Sequence, residues 1–244
     1  MGVNGFILAA GLGTRLKPLT DTTPKPLLKV AGKECISYSL DLLNKINAEE
    51  VVINTHHLSN KIEEYFNKNK FNFPVKISYE KNILGTAGGF LKGCHLFKNK
   101  QTTIVLSGDV VSNVDLNKAF EFHKEKKSQF TIGVIKRDDV SGSGIVGFNN
   151  DYSINKFLEK PTEDKQIFSH WINGSIYIIE PSINNYIPIN HLYDFGKQLL
   201  PDIISKEIPV YAYCLPKRGN YISGIDTNEL IMSVEKDIMS GKIF

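Results

Sequence analysis

Gly11, Gly13 and Arg15 lie close together near the amino terminus, and Lys25 follows between Pro24 and Pro26. Glycines let a backbone approach a ligand closely and aim N–H groups at phosphate oxygens. A guanidinium fork matches two such oxygens, and prolines on both sides hold a lysine on a stiff segment. The group suits the phosphates of a nucleotide. Two familiar loops are excluded. A dinucleotide fingerprint needs a third glycine where Leu16 stands, and an acid where the next strand ends in Asn54-Thr55-His56. No Walker run occurs anywhere. A tight connection between strand and helix accounts for the glycines alone, but not for the cations beside them.

Asp109 follows the apolar run Thr103–Ser107, which puts it beyond the carboxyl end of a strand, where open α/β sheets bind ligands. A carboxylate there suits Mg²⁺, although aspartate also forms ordinary turns. His56 and His57 read as loop histidines, Trp171 as core, and Lys124–Lys127 as a solvated helix face.

The elements that must position these groups alternate. Gly5–Ala10, Glu50–Asn54, Val75–Glu80 and Thr103–Ser107 read as strands; Ile36–Ile46, Leu58–Phe66 and Gly88–Leu96 read as helices, with Ser59 as a cap. Strands apolar throughout and separated by helices predict an α/β fold: a doubly wound, mixed and mostly parallel sheet covered on both faces. After Asp115 the rhythm changes. Leu116–Lys126 is helical; Phe130–Lys136, Gly144–Phe148, Ser153–Glu159, Trp171–Ile179 and Val210–Cys214 are strands. A short helix is expected near Leu199–Ile204 and a closing one over Thr227–Ile238. With no linker or repeat, the reading is one domain over 1–244, with a nucleotide-binding half to about residue 115 and a sugar-phosphate-binding half after it.

The chain has 244 residues, 41% hydrophobic and 23% charged, which argues against disorder and fibrous repeats. A net charge of +3 with scattered lysines gives no footprint for nucleic acid. No apolar stretch approaches the ~20 residues of a membrane span, and Gly5–Ala10 lacks the flank of a signal peptide. Cys35, Cys94 and Cys214 are far apart, which points to reduced thiols in the cytoplasm.

The run LAAGLGTRLKPLT followed by PKPLLKV resembles the sugar-1-phosphate nucleotidylyltransferases. LGTAGG (Leu84–Gly89), LSGDV (Leu106–Val110), FLEKP (Phe157–Pro161) and INGSIY (Ile172–Tyr177) recur in family order. Within the family the chain is most similar to short guanylyltransferases for mannose or heptose 1-phosphate. The resemblance implies a Rossmann-like nucleotidyltransferase fold and attack by a sugar phosphate on the α-phosphorus of a nucleoside triphosphate, with Mg²⁺ as cofactor. Arg15, Lys25 and Asp109 would then be catalytic. Leu8, Ala9, Ala10, Gly11, Gly13, Thr14, Gly85, Thr86 and Gly108 would join Arg15 and Lys25 around the nucleotide. Gly144, Glu159, Lys160 and Asn173 would hold the sugar phosphate. A homodimer is compatible with this reading.

One motif departs. The family's closing Asp-x-Gly-Thr reads Gly224-Ile225-Asp226-Thr227 here, with acid and glycine exchanged. Asp226 is either the second metal ligand beside Asp109 or the N-cap of the helix that comes next. The departure sustains a rival from another class, a nucleotide-sugar-binding regulatory subunit without turnover. A uridylyl- or thymidylyltransferase is the rival enzyme. Those often carry a glutamine before the base loop, where this chain has Glu80-Lys81-Asn82-Ile83, and its absence favours guanine.

Overall fold

Side chains of β1 (Asn4–Ala9) point alternately to two sides, and both sides are buried: Ile7 and Ala9 enter one core cluster, Phe6 another. The computed structural model describes residues 2–163, 166–215 and 221–243. Helix α1 (Leu19–Thr22) and the hairpin β2 (Lys29–Val30) and β3 (Lys33–Glu34) follow β1. Next come α2 (Ile36–Lys45), β4 (Val51–Thr55), α3 (Ser59–Lys68), β5 (Val75–Tyr79), α4 (Gly85–Cys94), β6 (Thr103–Ser107) and β7 (Val110–Ser112). The second part contains α5 (Leu116–Glu125), β8 (Phe130–Lys136), β9 (Gly144–Phe148), β10 (Ile154–Glu159) and β11 (Trp171–Ile179). It closes with α6 (Leu200–Ser205), β12 (Val210–Cys214), β13 (Ile222–Gly224) and α7 (Asn228–Met239).

Among the described residues, nine strands form one mixed sheet in the order β10-β9-β11-β6-β1-β4-β5, with β8 pairing β11 and β12. The centre β6-β1-β4-β5 is wholly parallel. Strand β11 joins it antiparallel to β6. Helices α2, α3 and α5 bury Leu40, Ile62 and Phe120 on one face, while α4 and α6 bury Phe90 and Ile203 on the other. The doubly wound α/β expectation is therefore met.

Several boundaries differ from the sequence reading, each for a tertiary reason. Helix α4 begins three residues early, at Gly85, because the carbonyl of Tyr193 accepts the Ala87 and Gly88 amides, both at 2.9 Å. Ser59 is not a cap. Leu58 takes the cap position with φ 52°, and the Ser59 hydroxyl instead lies 2.9 Å from that of Thr55. The pairs β2–β3 and β7–β13 were not expected, since two or three residues carry no alternation to detect.

A third, smaller core cluster gathers three distant parts of the chain. Leu16, Val111, Ile225 and Val234 pack together in it. It joins the loop after β1, the strand β7, and the chain end from β13 into α7. Arg15, Asp109 and Asp226 lie within two positions of the anchors Leu16, Val111 and Ile225.

Candidate active site

The loop after β1 turns at Gly13, whose φ of 64° lies in the left-handed region. A Cβ there would also come within 2.8 Å of Thr20. The Thr20 hydroxyl donates to the Gly13 carbonyl at 2.9 Å, and buried Leu16 pins the other end. Arg15 is thereby presented outward, its side chain 68% exposed. Lys25 begins a 3-10 turn after Pro24 and is buried.

These cations meet two carboxylates. Lys25 Nζ donates to Asp109 Oδ2 in a short bond and to Asp226 Oδ1 at 2.6 Å. Arg15 Nη2 donates to the same Asp226 oxygen at 2.8 Å. Burial alone would push the Lys25 ammonium down, but the charges and hydrogen bonds of Asp109 and Asp226 outweigh it and hold lysine above its usual range. Burial would likewise push Asp226 up, and Lys25, with Arg15 and Lys160, holds it below the usual carboxylate range.

For the exchanged motif the cap alternative is excluded. Strand β13 pairs antiparallel with β7, setting Gly224 opposite Val110, and the Ile225 amide donates to the Asp109 carbonyl at 3.0 Å. Asp226 thereby shares the Lys25 ammonium with Asp109. It does not cap α7; Thr227 does, its hydroxyl accepting from the Leu230 amide at 3.3 Å.

Above this network lies a cavity of about 730 Å³. Of the residues expected from sequence, Leu8, Arg15, Thr86, Asp109, Gly144, Glu159, Lys160, Asn173 and Asp226 line it. Lys25 sits beneath, touching both aspartates. Ala10, Gly11, Gly13 and Thr14, in the segment after β1, and Gly85, at the start of α4, are not in the wall. Two expectations are narrowed. The Ala9 amide is taken by Asn54 Oδ1 at 2.8 Å, and the Gly108 amide by the Leu8 carbonyl at 2.9 Å, so neither is free for a phosphate.

At the far end of the cavity, Asn173 donates to the Tyr177 hydroxyl at 2.8 Å and accepts from the Ser175 amide at 2.9 Å, across a register shift in β11. The Tyr177 hydroxyl is pushed up to about 12, chiefly by burial and further by the charges of Glu159 and Asp194, against the Asn173 hydrogen bond. Glu159 is wedged where a Cβ on Gly144 or Gly196 would stand, at 2.7 and 2.4 Å from its Oε2. Burial pushes its carboxyl up, Asp194 adds to this, and Lys160 and Lys197 oppose it.

Sequence reasoning missed Arg137, Asp194 and Lys197 in the wall. Arg137 follows β8 and donates to the Ile222 carbonyl at 3.1 Å. Asp194 precedes, and Lys197 lies within, a π-helical turn, Phe195–Leu199, which neither the α-helical nor the strand period marks. Glu80, in the run before the base loop, is turned inward. It is fully buried, accepting from Asn54 Nδ2 at 2.7 Å and the Leu84 amide at 2.9 Å, so it cannot face a base. His56 and His57 are held by backbone carbonyls, of Glu80 at 2.8 Å and Thr20 at 2.9 Å.

Comparison with known proteins identifies the family and the fold. The Nucleotidyl transferase family matches residues 4–227. A UTP–glucose-1-phosphate uridylyltransferase of Synechocystis is 35% identical over 224 residues, covering 86% of this chain and 57% of that protein. A mannose-1-phosphate guanylyltransferase catalytic subunit beta of Danio rerio is 33% identical over 216 residues, covering 86% and 56%. The chain thus spans just over half the length of these curated relatives. The crystal structure of HddC from Yersinia pseudotuberculosis superposes with a TM-score of 0.80 at 24% identity, covering 98% of this chain and all of that one, a likeness of fold.

Proposed function

Since the chain belongs to the Nucleotidyl transferase family, we propose that it joins a nucleoside triphosphate to a sugar 1-phosphate, releasing pyrophosphate. The observation that carries this is the two-ended cavity. Arg15, Asp109 and Asp226, with Lys25 beneath, form a charged end; Glu159, Asn173 and Tyr177 form an end rich in hydrogen-bonding groups. Lys160 is exposed on the same wall. The halves of the chain on either side of residue 115 are assigned to nucleotide and sugar phosphate accordingly.

In the proposed step a sugar phosphate oxygen forms a bond to the α-phosphorus while the bond from that phosphorus to the bridging oxygen breaks. The electron pair leaves with pyrophosphate. The nucleophile is already an anion, so no general base is required; what the protein must supply is neutralisation and alignment. Arg15 is free enough to swing from Asp226 to the leaving phosphates. Lys25, buried and doubly held, stays near the α-phosphate. Lys160 holds the incoming phosphate. Gly11 adjoins this end with open space where a Cβ would stand, leaving room for a phosphate against its backbone.

Mg²⁺ fits the donor set. Asp109 and Asp226 both converge on one cation, Lys25 Nζ, and offer only the hard oxygen ligands that this ion prefers. Among the described residues no group of three His, Cys, Asp or Glu could hold a metal, so phosphate and water oxygens would complete the shell. When bound, the ion would supply positive charge to the phosphates.

The finer reading is GTP with mannose or heptose 1-phosphate. The identity to a uridylyltransferase favours UTP with glucose 1-phosphate as the second. Glu80 being turned inward leaves exposed Asn82 as a polar side chain available near the base loop. A screen for pyrophosphate release, crossing four nucleoside triphosphates with glucose, mannose, heptose and amino-sugar 1-phosphates, tests the class and selects the pair. Nucleotide binding without release for any pair would instead support the regulatory subunit.

A further inference from the structure

Glu80 is a fully buried carboxylate that, among the described residues, forms no ion pair. Two neutral donors hold it instead: Asn54 Nδ2 at 2.7 Å on Oε1 and the Leu84 amide at 2.9 Å on Oε2. Its backbone is fixed as well, the amide donating to the Thr55 carbonyl at 2.7 Å and the carbonyl lying 2.8 Å from His56 Nδ1. The proposed step makes no use of this group.

Asn54 carries the contact onward. It stands in β4 opposite Leu8 of β1, and its Oδ1 accepts from the Ala9 amide at 2.8 Å. A backbone N–H only donates and an ionised carboxylate only accepts, so the side-chain amide has one workable orientation. A continuous buried path, Ala9–Asn54–Glu80–Leu84, thus joins the end of β1 to the cap of α4. Leu8, just before the path, and Thr86, just beyond it, both line the cavity. Helix α4 makes room for it: a Cβ on Gly89 would run into Glu80 Oε1 and come within 2.6 Å of Asn54 Nδ2. Glycine weakens a helix interior, and here it leaves the space that the path occupies.

We propose that Asn54 and Glu80 are positioning residues for the nucleotide: they set the separation of the loop after β1 from the base loop, so that phosphates and base are gripped together. This rests on the transferase reading of the cavity and deepens it. Neither side chain touches the nucleotide. A mismatch between them strands buried polar atoms, and the loops that carry their partners must shift to relieve it.

The test exchanges the chemistry of the two side chains and keeps their shapes. Glu80→Gln leaves a donor facing a donor whichever way its amide turns, and Asn54→Asp sets a second carboxylate against Glu80. In the double variant the new carboxylate accepts from the Ala9 amide and from the new side-chain amide, whose oxygen accepts from Leu84. The full chain is titrated calorimetrically, with Mg²⁺ present, with each of the four nucleoside triphosphates, well below the melting temperature found for each variant. Every nucleotide that binds the parent should bind either single variant roughly 10-fold more weakly or worse, the order of one stranded buried polar group. The double variant should regain most of that loss, because the two positions act as one unit. Folded single variants that bind as the parent does overturn the proposal. So does a loss that the double variant fails to repair, which assigns Glu80 to direct contact with the base. Where a single variant does not fold, the double variant alone decides: near-parent affinity supports the positioning role, and weak binding by a folded double variant overturns it. Rescue without pyrophosphate release in any pairing keeps the positioning role and sinks the transferase reading. A parent that binds none of the nucleotides overturns both.

Discussion

Replacing Asp226 with alanine tests how the charged end is built. Its carboxylate bridges Lys25, whose side chain is 10% exposed, and Arg15, whose side chain is 68% exposed. Removing one partner of a fully buried ion pair costs ~3–5 kcal/mol, because a charge is stranded. Lys25 is not stranded, since Asp109 remains, and Asp226 itself is 35% exposed, so solvent screens much of the loss. The exposed Arg15 contact adds little. About 1–2 kcal/mol remains, and at 2–4 °C per kcal/mol for a chain of this size the melting temperature should fall by roughly 3–6 °C. Pyrophosphate release should fall about 100-fold or more, the scale of removing a group that acts on transition-state charge. Thr227→Ala separates the metal-ligand and helix-cap roles that the segment could have carried. It removes the cap of α7, costing about 1 kcal/mol, and should leave turnover intact. Scanning calorimetry and a coupled pyrophosphate assay on both variants suffice. An Asp226→Ala protein that melts with the parent, or a Thr227→Ala protein that loses as much turnover, refutes the reasoning.

Other expectations concern the frame around the site. Asn54→Ala leaves the Ala9 amide and the buried Glu80 carboxylate without their partner, and should cost about 2–4 kcal/mol in urea unfolding. Gly85→Ala forces a left-handed residue against the Tyr193 carbonyl; a loss of about 1–3 kcal/mol is expected by the same measurement. Glu159 has its carboxyl pushed up by burial, so its contribution to stability is present below the unfolded pKa and lost as pH rises through the folded one. Glu159→Gln should therefore melt higher than the parent at pH 7, by about 1 kcal/mol or less, with the gain vanishing in acid, while sugar affinity falls. Glu180 is the opposite case. The His123 hydrogen bond holds its carboxyl down, burial opposes this, and the Thr102 hydroxyl adds to the lowering. Its stabilisation is present above the unfolded value of roughly 4.3 and lost below it, so Glu180→Gln should flatten the acid limb of a plot of melting temperature against pH.

The strands were legible because each is a short apolar run with a defined face. Thr103–Ser107, Phe130–Lys136, Trp171–Ile179 and Val210–Cys214 match to the residue. The charged end was legible in its parts and not in its joining. Lys25 and Asp226 are 201 positions apart, and what unites them is the third apolar cluster, which has no local pattern. Asp194 was invisible for a related reason: its position follows from Tyr193 docking onto α4, a long-range backbone contact. The burial of Glu80 was equally hidden, because it is enclosed by amide donors, of Asn54 and Leu84, that only folding brings to it.

The pairing of β7 with β13 also has a consequence in time. A protein leaves the ribosome from its amino terminus, and the centre β6-β1-β4-β5 needs nothing beyond Ser107 to pair. Asp226 comes far later in the chain than Ser107. A nascent chain can therefore assemble its parallel sheet and the loop bearing Arg15 long before the second carboxylate has been made. Until the three residues of β13 dock, Lys25 has only Asp109. The charged end is completed only when β13 has been made and docked, and a chain stopped shortly before Ile222 would have most of the architecture with that end incomplete.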